Sequence, residues 1–83
     1  MKRLLNISEV SIIIENINLK TRKPLNHTLR YWEKEFKQIK PVFLKNRRYY
    51  SEKQIDLIKL IKFLLKDKGM TIAGVKNVLK SKI

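Results

Sequence analysis

The chain contains no cysteine, which excludes a disulfide, a thiolate metal site and a thiol nucleophile and gives no sign of an oxidising compartment. Its one histidine, His27, cannot make a multi-histidine metal centre. Only two glycines occur, Gly69 and Gly74, so there is no glycine-rich loop to cradle a phosphate. The apolar run Ile12-Ile13-Ile14 ends at Glu15 and is too short for a signal-peptide core or a membrane span. A cytoplasmic location without a membrane partner is the default expectation.

Acidic residues are also few, seven in all. Glu33 and Glu35 are two apart and so do not face each other on a helix, and Glu52 with Asp56 at i, i+4 reads as solvated helix charge. His27, near a helix start, reads as a cap-region or contact residue rather than a base. No nucleophile, paired carboxylate or ligand set stands at a workable spacing, so neither an enzyme nor a cofactor is expected.

What the chain has instead is positive charge. Twenty Lys and Arg against seven Asp and Glu give +13, far beyond what solubility needs, and such a field concentrates polyanions at the surface. Nucleic acid is the first partner class on charge alone and an anionic membrane the second. Lysine supplies most of the cations, and AT-rich coding also produces lysine, so charge alone does not decide. With 83 residues, 43% of them hydrophobic, the chain is expected to fold as one domain over residues 1–83.

Asn6 and Ser8 are both possible N-caps, and Val10, Ile13, Ile14 and Ile17 fall at i, i+3, i+4 and i+7, which predicts a first helix from about Ser8 to Ile17. A strand competes for the same β-branched residues. Lys20, Arg22 and Lys23 then lead into Pro24, which predicts a basic loop. Asn26 can cap a second helix over about His27 to Phe36, with Leu29, Trp32, Glu33 and Phe36 on one stripe and Arg30, Tyr31, Lys34 and Lys37 elsewhere.

From Lys40 to Tyr50 the pattern alternates, predicting two short strands around a positive tip at Lys45-Asn46-Arg47. A two-stranded hairpin is barely stable alone, so it must lean on helices. Ser51 and Gln54 have capping-box spacing and open a long third helix, with Ile55, Ile58 and Ile61 in a broad apolar face and Gly69 as its stop. Thr71 can cap a last helix through Ile83, in which Ile72, Val75 and Leu79 share a face and Lys76, Lys80 and Lys82 do not.

Cations and aromatics therefore come together on two neighbouring elements. Arg30, Tyr31 and Lys34 lie on the outward side of the second helix, and Lys45, Arg47, Arg48 and Tyr49 lie in the hairpin. Arginine can pair with phosphate or a guanine edge, tyrosine can donate to phosphate, and one helix fits a major groove. For Arg47 and Arg48 a plainly solvated turn is an equal reading. Trp32 and Phe36 read as core, and so does Tyr50, directly before the Ser51 cap.

The string "TLRYWEKEF", followed by "KPVFLKNRRYYSEKQIDLIKLIKFLLKDKGMTIAGVKNVL", resembles the DNA-binding domain of the MerR-family transcription regulators over about Ile7 to Leu79. The resemblance implies a mainly α winged helix-turn-helix of about four helices with a small β-hairpin wing. It implies that the second helix enters the major groove of double-stranded DNA and that Lys45 to Arg48 form the wing tip on phosphates. Thr28, Arg30 and Tyr31 match the family's helix contacts, Arg48 its wing arginine, and Tyr50 the aromatic packed beneath. His27 joins the first three as a source of sequence choice. A homodimer on an operator with inverted half-sites is implied as well.

Three departures bear on these expectations. Asn18 to Leu25 replaces the family's tight turn, so either the first helix is longer or a basic loop protrudes. No dimerising coiled coil or effector domain follows the fourth helix before Ile83. Arg47 stands where the family often has an aromatic. An excisionase-like factor that bends DNA, and a small basic RNA-binding protein, are the alternative readings.

Overall fold

The computed structural model describes residues 3–81. A short strand β1 (Leu5–Asn6) leads directly into helix α1 (Ile7–Ile13), and helix α2 (Asn26–Glu35) follows after a long loop. Strands β2 (Val42–Leu44) and β3 (Arg47–Tyr50) come next, then helix α3 (Glu52–Lys62) and helix α4 (Ile72–Ser81). The architecture is the expected one: mainly α, four helices, with a β-hairpin wing. The anticipated extension of α4 through Lys82 and Ile83 lies outside the described residues. No described helix is long and apolar enough to cross a membrane.

Helix α1 is shorter than its apolar spacing predicts, and it starts earlier. Asn6 is the cap: its side chain accepts from the Glu9 amide at 2.9 Å while the Asn6 amide donates to the Glu9 carboxylate at 2.9 Å. This reciprocal capping box fixes the start, so Ser8 lies inside the helix. The helix ends at Ile13, and Glu15 turns into the left-handed region at φ 60°. Val10 and Ile14 are buried, whereas Ile13 is exposed and Ile17 pairs with Pro24 in an isolated antiparallel bridge. Three consecutive isoleucines are poor helix propagators, and the chain turns away where they end.

The sheet has a third strand that no pattern in the sequence signals. Its order is β1-β3-β2, antiparallel throughout, with Leu5 opposite Tyr50 and Asn6 opposite Tyr49, and with Val42, Phe43 and Leu44 opposite Tyr49, Arg48 and Arg47. The hairpin thus leans on β1 as well as on helices. Its tip is the pair Lys45-Asn46, both with positive φ (49° and 65°), as a two-residue turn between twisted strands requires. Arg47 and Arg48, expected in the tip, are instead the first two residues of β3, and the turn itself is only Lys45-Asn46.

The core joins Leu29, Trp32 and Phe36 of α2 and its C-cap to Val10, Ile39 and Tyr50, to Ile55, Ile58 and Ile61 of α3, and to Val75 and Leu79 of α4. Ser51 caps α3 by accepting from the Gln54 amide, but the Gln54 side chain does not complete a capping box. It turns away to accept from the Lys40 amide at 2.7 Å and donate to the Gln38 carbonyl at 3.2 Å. The segment between α2 and the wing is thereby pinned to α3. Past Lys62 the helix widens into a π-helical turn, Phe63–Asp67, and Gly69 at φ 66° supplies the predicted stop. Thr71 then accepts from the Gly74 amide at 3.0 Å, the predicted cap of α4.

Candidate nucleic-acid interface

Helix α2 is positioned from both ends. Asn26, its first residue rather than its cap, bridges to α1: its amide donates to Ser8 Oγ at 2.9 Å and its carbonyl oxygen accepts from Ser11 Oγ at 3.1 Å. At the other end Trp32 and Phe36 are sunk in the core. With that face held, His27, Arg30, Tyr31 and Lys34 at i, i+3, i+4 and i+7 form an exposed stripe, and Tyr31 is half exposed. Thr28 lies beside it, half-buried.

The wing meets this helix through Arg48. Side chains alternate along a strand, so Arg48 shares a face with the fully buried Tyr50, and its Nε donates to Glu33 Oε2 on α2 at 2.7 Å. Its guanidinium also lies 5.2 Å from the centroid of the Phe43 ring, directly across the hairpin. Among the described residues the other donors of Arg48 form no hydrogen bond, while Nε ties the wing to the helix. Arg47 and Lys45 are exposed, and Tyr49 is half-buried between Val42 and Asn6.

A cleft of about 270 Å³ gathers these parts, lined by Asn6, Ile7 and Ser8 at the start of α1, by Arg30 of α2, and by Asn46, Arg47 and Arg48 of the wing. Three arginines from two elements line it. The beginning of α1 as part of the lining is a contribution that sequence reasoning missed; its only signal was the Asn6 cap. Lys34 sits apart from this cleft, lining another between α2 and α4 with Lys37, Lys76 and Lys80. Glu35 is paired there with Lys76 at 3.1 Å.

Tyr50 supports the wing from below. It is fully buried and, among the described residues, its hydroxyl has no hydrogen-bond partner. Burial, reinforced by the Glu33 carboxylate and partly opposed by Arg48 and Arg30, pushes its phenol up to about 12. It stays neutral at any physiological pH and serves as packing.

A solvent-facing helix with an arginine, a tyrosine and a histidine, flanked by a basic wing, is the layout of a winged helix-turn-helix. The family model for MerR HTH regulatory proteins matches residues 26–82, which run from the first residue of α2 through the wing, α3 and α4. The chain belongs to the MerR family. Among curated proteins and among solved structures, nothing matches it. MerR-family proteins are DNA-binding regulators of transcription rather than enzymes, and that general role applies to this chain. The MerR match begins after the loop that joins α1 to α2, so that loop lies outside the matched segment.

Proposed function

We propose that residues 1–83 act as one DNA-binding unit that sets α2 into the major groove of duplex DNA and lays the β2–β3 wing along the adjacent phosphates. The observation that carries this reading is a cleft lined by Arg30 of α2 together with Arg47 and Arg48 of the wing. A helix and a wing that share a charged cleft can grip base edges and backbone together. His27, Thr28, Arg30 and Tyr31 supply sequence choice, and Lys34 extends the helix stripe toward the backbone. Lys45, Arg47 and the free donors of Arg48 hold phosphate, with Tyr49 beside them.

The regulator binds as a homodimer on an inverted repeat, in this reading, and most of its affinity comes from displaced counterions. Selection of bound sites from a random duplex pool tests both points. Enrichment of inverted half-sites spaced by about one helical turn, or a multiple of it, supports the proposal. Enrichment of a lone half-site removes the dimer, and no enrichment removes sequence recognition. Competition by structured RNA at equal salt must fail; tighter binding to RNA overturns the reading.

A further inference from the structure

We propose that the loop from Ile14 to Leu25 is a second basic arm, which contacts DNA phosphates beyond the segment covered by α2 and the wing. The proposal rests on the duplex-binding reading above and extends it to a part of the chain that the family match does not include.

The loop is built, and it projects. Ile17 and Pro24 pair in an antiparallel bridge, Asn18 donates its amide to the Lys23 carbonyl at 2.9 Å, and Arg22 donates its amide back to the Asn18 carbonyl at 2.7 Å. The Asn18 side chain accepts from the Lys20 and Thr21 amides at 2.9 and 3.1 Å, which closes the tip. Leu19 is 82% exposed at that tip, so the arm stands away from the body of the protein.

Its base fixes where it stands. The buried Asn16 donates its side-chain amide to the Leu25 carbonyl at 3.0 Å and accepts the Leu25 amide at its own carbonyl at 2.8 Å. Leu25 is the N-cap of α2, so the arm is hinged on the leading end of that helix. In helix-turn-helix proteins that end of the recognition helix approaches the bases. An arm rooted there reaches the backbone that flanks the groove.

Its charge completes the fit. Lys20, Arg22 and Lys23 are all exposed, and none forms an ion pair among the described residues. Glu15, the one acid near the root, lines a separate cleft with Lys59 and Lys62. Three unpaired cations on an ordered scaffold suit a row of phosphates, and a duplex is the partner that presents such a row beside α2.

The test uses the full chain with Lys20→Gln, Arg22→Gln and Lys23→Gln combined, a change that leaves the Asn18 hydrogen bonds intact; its thermal midpoint is measured as the folding control. Binding is compared on the selected site trimmed to its recognised bases and on the same site with about ten flanking base pairs on each side, roughly one helical turn. For the parent protein, the longer duplex binds more tightly and with a steeper salt dependence. The triple variant loses that advantage, its salt slope falls by about 2 to 3, and its preferred site is unchanged. If the triple variant keeps the parent's slope and length dependence while Arg47→Ala weakens binding, the arm does not touch DNA and the inference fails alone. If Arg47→Ala and Arg30→Ala are silent too, the duplex-binding reading has failed with it. As a second variant, Lys20→Glu with Lys23→Glu must weaken binding further than the neutral changes; equal or tighter binding contradicts the arm.

Discussion

Arg48 on the wing and Glu33 on α2 form a 2.7 Å ion pair that locks the hairpin to the helix, with the two side chains 33% and 18% exposed. A pair of this exposure contributes about 1 kcal/mol or less to stability. It also masks one cation at the interface. Glu33→Gln therefore lowers the denaturant midpoint modestly while raising affinity for random duplex and steepening its salt slope by up to about 0.9. Chemical denaturation and fluorescence anisotropy on a random duplex check the two effects. A loss of affinity would show that the ion pair holds the wing in its binding position rather than competing with DNA.

Tyr50 makes stability depend on pH in a defined window. The unfolded phenol titrates near 10 and the folded one at about 12, so above pH 10 the folded state retains a proton that the unfolded state releases. Stability is complete below pH 10 and declines as pH rises through 12, by about 2 to 3 kcal/mol in all. The comparison is with Tyr50→Phe, which lacks this component. The variant is also as stable as the parent at pH 7, or more so by about 1 kcal/mol, because the hydroxyl it removes is buried without a partner. Denaturant unfolding at pH 7 and pH 11 measures both.

The Asn26 amide joins α1 to α2 through Ser8 and Ser11, and Ser11 is fully buried. Asn26→Ala strands the Ser11 hydroxyl and costs about 1 to 3 kcal/mol. Adding Ser11→Ala removes the stranded group and recovers part of the loss. Thermal or urea unfolding of the single and double variants shows the recovery; a double variant that is worse by the sum of both changes would assign Asn26 a different role.

Much of this was legible in the residues themselves. The stripes of α2, α3 and α4 predict Leu29, Trp32, Phe36, Ile58, Val75 and Leu79 as core, and all are buried. The two-residue β1 carries no pattern, because its identity comes from pairing with residues more than forty positions away. The Ile17–Pro24 bridge is hidden for a similar reason: proline signals a break in helix, not which residue it will face. Between a longer first helix and a protruding loop, the structure gives the loop.

The ion pair is the instructive case. Arg48 alternates in phase with Tyr50, and Glu33 falls on the stripe of Trp32, so both positions point inward on periodicity. The resemblance implies Arg48 as a wing arginine facing DNA, and the structure adds an inward bond to Glu33 that the sequence pattern did not pair. For Gln54 the capping-box spacing described the backbone correctly, yet the side chain found better partners in the loop after α2.

The central claim is a division of labour between α2 and the wing, and equilibrium binding of single variants to selected and random duplexes tests it most directly. Thr28→Ala and Tyr31→Ala are predicted to lose about 1 to 3 kcal/mol on the selected site, alter the preferred bases and leave random binding nearly intact. Arg47→Ala is predicted to weaken both duplexes alike and lower the salt slope by about 1. Equal losses on selected and random DNA for all three variants would contradict the account.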